Sequence, residues 1–263
     1  MKLFFNAALT LLFVLTGLAQ SPYEISWKKD GMILGTNFLV GITASATNKS
    51  LTSLSNEEIN ALSRNDVFWF DRSATYNYSE KLSTASDVLV GMTIAAPFTL
   101  FLDDAVREDW KIISTMYLET ILFSMFLPSF GKGNIERIRP YVYNADTPLS
   151  RKTSIEAKRS FFSGHTTWAF STSIFFATVY NDYYPESQWK PYIWGGALAA
   201  ASSVGILRYA SGAHFPTDVL VGAVVGSAIG YTVPLFHRKN ENNMDVSFQT
   251  IDEQSKLTLY FLF

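Results

Sequence analysis

Five stretches of the chain are almost free of charge. Residues 88–102, 166–180, 192–207 and 219–236 carry none, and 112–130 carries only Glu119. Several are nearer 15 than 20 residues. That is short of the roughly 20 a helix needs to cross about 30 Å of hydrocarbon, and their flanks bring most to length. Gly, Ala, Ser and Thr crowd 194–205 and 221–230, as in helices that pack closely within a membrane. The pattern predicts an all-α, membrane-embedded helical bundle. A soluble bundle with unusually apolar core helices is the weaker alternative.

Outside these stretches the pattern changes. Residues 32–47 are apolar but studded with Thr36, Asn37, Thr43 and Ser45, which suits a packed or interfacial helix better than a spanning one. The run 55–62 opens with Ser55 and then Glu57 and Glu58, a helix start. Residues 65–86 are polar and aromatic, with Phe-Trp-Phe-Asp-Arg at 68–72, and read as an external loop or short helices at the membrane surface. Within it, Asp71 and Arg72 read as a local ion pair, with a functional role as the less common alternative. After 237 the chain turns polar and then alternates, a small strand-like tail. His237 reads as a solvated residue beyond the last helix.

Composition sharpens the picture. The chain is 48% hydrophobic and 17% charged, with net charge −2 and no cysteine. Soluble domains are nearer a quarter charged. A near-neutral chain has no general attraction to nucleic acid. The missing cysteines remove disulfides, thiolate metal sites and cysteine nucleophiles. Lys2, an apolar run over 3–15 and small residues at Gly17 and Ala19 resemble a secretory signal, with an uncleaved anchor as the alternative. The expected organisation is therefore a signal peptide or anchor at 1–19, an N-terminal helical and loop segment at 20–84, a helical-bundle core at 85–236 and a tail at 237–263.

Three polar stretches abut apolar helices: 132–140, 160–167 and 208–218. Helices joined in this order put all three connections on one face of a bundle. That face would gather Lys132, Arg139, Ser163, Gly164, His165, Arg208, His214 and Asp218. Arginine forks match phosphate oxygens, and a helix beginning at a Ser-Gly turn offers free N–H groups and its positive dipole end. The pocket suits a tetrahedral anion. Asp218 lies four residues after His214, on the same face of a helical turn. It would fix the histidine tautomer and free the other nitrogen for attack. His165 fits a general acid. Arg137 and Glu136 read as surface or structural charges. Trp168 and Tyr209 read as entrance or packing aromatics.

Residues 132–140 match K-x6-R-P, 163–165 the core of P-S-G-H, and 208–218 R-x5-H-x3-D. In this order they resemble the type 2 phosphatidic acid phosphatase superfamily, which also contains bacterial acid phosphatases and vanadium haloperoxidases. Each motif alone is weak; three in order beside apolar helices are specific. The likeness extends with the helix pattern over roughly 85–236. It implies a phosphatase that needs no metal or cofactor and forms a phosphohistidine. His214 would be the nucleophile, Asp218 its orienting partner and His165 the acid and then the base. Lys132, Arg139, Arg208, Ser163 and the Gly164 N–H would hold the phosphate. Phe162 stands where the family usually has proline, and Leu207 where serine often precedes the arginine.

The resemblance implies a lipid phosphate or diphosphate as substrate, membrane lipids as surroundings and no nucleic acid. The family's usual substrates are undecaprenyl diphosphate, phosphatidic acid, phosphatidylglycerol phosphate and the phosphates of lipid A. Residues 131–160 hold seven basic residues against three acidic ones. That excess alone favours the cytoplasm, but an anionic substrate or lipid surface also accounts for it. With a signal that ends outside and 32–47 not spanning, the site faces the periplasm of a bacterial inner membrane. A spanning 32–47 behind an uninserted N-terminus also gives an external site. Behind a translocated one it puts the site in the cytoplasm.

Overall fold

The computed structural model describes residues 21–48, 52–239 and the strand residues 245–251 and 254–260. The expected signal at 1–19 lies outside the described residues.

Among the described residues there are six long helices: α1 (Trp27–Asn48), α2 (Glu80–Ala95), α3 (Trp110–Asn134), α4 (Gly164–Tyr183), α5 (Lys190–Ala210) and α6 (Pro216–His237). A 3₁₀ segment, Ala96–Leu102, continues α2. By length and apolarity, Glu80–Leu102, Trp110–Asn134 and Pro216–His237 can each cross a membrane. The chain is an all-α membrane bundle. Its outward surface is apolar, with Leu39, Ile42, Met92, Leu118, Ile206 and Val224 all exposed, a face suited to lipid rather than water. Trp27, Trp110 and Trp189 are exposed at the end remote from the site, and Trp69 at the site end, where interfacial aromatics sit.

α4 is the central helix and packs against α2, α3, α5 and α6. Toward the site its buried face is polar and small, with Thr166, Thr167, Ser171 and Thr172 fully buried, and farther along it carries Phe175 and Val179 into the apolar core. These hydroxyls are satisfied locally, as where Thr167 donates to the Ser163 carbonyl at 2.9 Å. Ser124 of α3 donates to Ser171 at 2.7 Å. Small side chains allow close approach. A Cβ on Gly222, Gly226 or Gly230 of α6 would stand 2.7, 2.4 or 2.3 Å from the carbonyl oxygens of Ser163, Thr167 and Ser171. The sequence stripe at 221–230 thus locks α6 onto α4, and with it the histidines and Asp218 that open the two helices.

α1 is a full 22-residue helix, about 33 Å long at 1.5 Å per residue. It lies along α3 and exposes Met32, Phe38, Leu39 and Ile42, and Asn48 donates to the Ser129 carbonyl at 3.1 Å. The expected packed helix is present, longer than its 32–47 core. Ser55 caps the helix at 56–61 as expected, and the structure adds the return bond from Glu58, at 3.1 and 2.7 Å. The tail forms an antiparallel pair, β1 (Asp245–Ile251) with β2 (Gln254–Tyr260), Asp245 opposite Tyr260.

His237 departs from expectation. It is the last residue of α6 and is buried. The strap at 22–24 crosses this end, with Glu24 N–H donating to the His237 carbonyl at 2.8 Å and Lys239 N–H to that of Pro22 at 3.0 Å. A residue placed beyond the helix by its sequence neighbours is covered by a distant segment.

Candidate active site

All eight candidate residues stand at one end of the bundle, where α3 and α5 end and α2, α4 and α6 begin. Lys132 lies in the last turn of α3. Its ammonium is 3.5 Å from where a Cβ on Gly164 would stand, over the start of α4. Ser163 caps that helix, accepting from Thr166 N–H at 3.4 Å, and its hydroxyl also meets Thr166 Oγ1 at 2.8 Å. Its own N–H donates to the Asp218 carbonyl at 3.1 Å. Ser163 therefore orients the helix start and keeps the Gly164 end of α4 beside Lys132. Phe162, at the expected proline position, is buried and packs over Gly131.

His214 is fully buried in the turn between α5 and α6. Gly212 makes this turn with φ of +72°, and a Cβ there would lie 2.0 Å from the Asn77 carbonyl oxygen. Both reasons require glycine. Arg139 Nη1 lies 3.4 Å from His214 Nε2 and donates to the Ala213 carbonyl at 3.1 Å. Arg139 Nε holds the Glu156 carbonyl at 2.8 Å. His214 Nδ1 faces Asp218 Oδ2 at 3.6 Å and has no hydrogen-bond partner among the described residues. That is longer than a hydrogen bond, and such catalytic contacts often tighten only with substrate bound. Burial holds the imidazole well below its ordinary pKa, and Arg139, Arg208, Lys132 and His165 push the same way. His214 is a neutral base among cations.

Asp218 is held from several sides. Its Oδ2 accepts from Ser160 at 2.6 Å and from Phe215 N–H at 3.0 Å, and its Oδ1 accepts from Arg137 at 2.5 Å. Arg137 reaches on to Asp71 Oδ2 at 2.7 Å. Asp71 in turn accepts from the Thr217 N–H at 2.9 Å and its hydroxyl at 2.7 Å. One expectation changes here and another is resolved. Asp71 pairs with Arg137, not Arg72, whose guanidinium serves the Asn65 and Val67 carbonyls. Arg137, read as a surface or structural charge, is structural and joins two buried carboxylates. Its guanidinium also lies 4.2 Å above the Phe215 ring. Glu136 is exposed and pairs with Lys158 at 3.6 Å.

Opposite His214, His165 Nε2 lies 2.9 Å from Asp87 Oδ1. Arg208, buried, donates to Ser83 and Ser86 at 3.1 Å each and reaches Asp87 at 3.4 Å. Asp87 was not identified from sequence. The available signal is the one that marks His214: a lone carboxylate at the mouth of an uncharged stretch, here 88–102. Trp168 donates to the Ser124 carbonyl at 2.7 Å and Tyr209 meets Ser73 at 3.1 Å, so both pack within the fold.

The PAP2 superfamily profile matches residues 113–242. The chain is 30% identical over 156 residues to the lipid A 4′-phosphatase of Porphyromonas gingivalis, covering 58% of this chain and 62% of that protein. It is 32% identical over 114 residues to the probable diacylglycerol pyrophosphate phosphatase 1 of Schizosaccharomyces pombe, covering 41% of each. Less than two thirds of either relative is thus spanned. A crystal structure of a transmembrane PAP2 type phosphatidylglycerolphosphate phosphatase from Bacillus subtilis aligns over 80% of this chain and 96% of its own, at 21% identity and TM-score 0.46.

Proposed function

The chain belongs to the PAP2 superfamily, and we propose that it is a metal-independent phosphatase of lipid phosphates or diphosphates, working through a phosphohistidine. The observation that carries this reading is the setting of His214: buried and neutral, Nδ1 toward Asp218, Nε2 beside Arg139. Lys132, Arg139, Arg208 and the Gly164 N–H hold the phosphate, with Ser163 fixing the helix start. Nε2 attacks phosphorus; the N–P bond forms as the bond to the leaving oxygen breaks, and His165 gives that oxygen its proton. His165 then takes a proton from water as the water attacks. The new P–O bond forms, the N–P bond breaks and phosphate departs. Asp87 acts as a positioning residue: its carboxylate accepts a hydrogen bond from His165 Nε2–H and leaves Nδ1 to exchange a proton.

The exposed apolar belt favours a lipid substrate over the small phosphate esters of a soluble acid phosphatase. The assembled His, Asp and cation set argues against a non-catalytic binding protein. The core at 85–236 supplies every one of these groups. We place the bundle in a bacterial inner membrane with the site toward the periplasm. Because α1 ends beside the site, this orientation puts the Trp27 end in the cytoplasm if α1 spans.

Membranes from cells expressing wild type or His214→Ala, assayed with EDTA for phosphate released from a panel of lipid phosphates, lipid diphosphates and p-nitrophenyl phosphate, test the reading. Release that survives EDTA and needs His214 supports it. Release that a brief EDTA exposure abolishes while the protein stays folded, or that persists in His214→Ala, defeats it. Preference for p-nitrophenyl phosphate over every lipid would favour the soluble-esterase alternative.

A further inference from the structure

At the end of the bundle remote from the phosphate site, three helices bring one titratable group each to a point. They are Asp30 from α1, Glu119 from α3 and His237 from α6. All three are buried, and their ligand atoms lie within 4.8 Å of one another. His237 Nε2 is 2.7 Å from Asp30 Oδ1 and 3.4 Å from Glu119 Oε2. We propose that this cluster is a structural zinc site that ties α1, α3 and α6 together.

The tautomer of His237 is the first argument. Its Nδ1 lies 2.8 Å from the Val233 carbonyl oxygen, which only accepts, so Nδ1 carries the hydrogen. Nε2 then faces two carboxylates, and either a second proton shared with Asp30 at 2.7 Å or a cation must stand between them. A backbone carbonyl holding the far ring nitrogen is the usual support of a metal-bound histidine. Glu119 is the second argument. It is fully buried, and neither of its carboxylate oxygens has a hydrogen-bond partner among the described residues. An orphaned carboxylate inside an apolar bundle is strongly unfavourable, and a cation gives it a partner.

Charge selects the ion. Two carboxylates and a neutral imidazole carry two negative charges, which one divalent cation balances. One proton on Nε2 would leave a net negative charge. Imidazole with carboxylates suits zinc, and bonds of about 2.1 Å at tetrahedral angles set donors roughly 3.4 Å apart, which the His237–Glu119 separation of 3.4 Å matches and the His237–Asp30 separation of 2.7 Å would have to widen to meet. Three protein donors leave one tetrahedral position, for the second oxygen of a carboxylate or a water. Asp30 Oδ2 accepts from Ser26 N–H at 2.5 Å. Beside it, Tyr23 donates to Asp182 at 2.6 Å, and Arg238 holds the same carboxylate with two bonds of 2.8 and 2.9 Å. The ion would take no part in phosphate chemistry. It would stand where α1, which lies mainly against α3, meets the rest of the bundle.

The test is metal analysis of the full chain, purified in detergent from zinc-supplied cells after a brief chelator wash. Wild type should hold close to one zinc per chain. Glu119→Gln, which keeps side-chain size, and His237→Gln should bind zinc more weakly by more than the roughly 10- to 100-fold typical of losing an outer-shell partner. Prolonged stripping should lower the wild-type Tm, and zinc but not magnesium should restore it. A wild type without zinc after growth and reconstitution would overturn the proposal in favour of a proton-bridged cluster. Zinc retained fully by Glu119→Gln would overturn it as well.

Discussion

Asp218 shows how one carboxylate can be fixed without touching solvent. Ser160, Phe215 N–H and Arg137 occupy its lone pairs, and Arg137 is itself locked by Asp71. Removing the arginine leaves two buried carboxylates facing each other. Arg137→Ala should therefore destabilise the protein by about 3–5 kcal/mol, the usual consequence of breaking a buried pair, seen as a lower Tm in detergent. The proposed chemistry makes sharper demands. His214→Ala should lower kcat by at least about 1000-fold, as loss of a nucleophile does. Asp87→Asn should cost about 100-fold or more on an alkyl phosphate and much less on p-nitrophenyl phosphate, whose good leaving group needs little general acid. A uniform loss on both substrates would remove Asp87 from the proton path.

The pH dependence follows from the His214 environment. Its pKa is depressed, so on acidification it stays neutral past the ordinary histidine value of about 6.5. The acid limb of kcat/KM should lie below that value. Arg139→Gln removes one of the cations that oppose protonation, so its acid limb should move toward neutral pH. The comparison uses one substrate for both proteins, so the substrate's own titration cancels. At this scale the site was largely legible, because ligand types, order and spacing belong to the chain itself. Arg137 was read only as a surface or structural charge and Asp87 was not singled out, since their partners lie 66 residues away and 78 residues away, at Asp71 and His165.

At the scale of elements, the contact between α4 and α6 sets the pocket. The two helices start side by side because Gly222, Gly226 and Gly230 admit the α4 backbone. Gly226→Leu should drive them apart, at about 1–3 kcal/mol for an overpacked contact or more where backbone must shift. It should lower kcat as well as Tm, although the residue lies two turns from Asp218. A variant that loses stability but keeps full kcat would show that the pocket tolerates helix displacement. The small-residue stripe was visible in the sequence. Which helix it faces was not, because a stripe specifies closeness without naming the partner.

For the whole molecule, the absence of cysteine makes the orientation directly measurable. Single cysteines at Trp69 and Trp189, exposed at opposite ends, should label differently with an impermeant maleimide on intact cells. The proposed periplasmic site requires labelling at 69 and not at 189. The reverse pattern places the site in the cytoplasm. The sequence by itself determined an all-α bundle, the set of residues that meet at the candidate site and the cap at Ser55. Each rests on periodicity or on residue types close in the chain. Only the tertiary structure decided that α4 is the central helix, that Arg137 bridges two buried carboxylates, and that His237 lies buried against Asp30 and Glu119. Those facts depend on which surfaces meet across the bundle. Packing geometry settles that, and no local pattern along the chain encodes it.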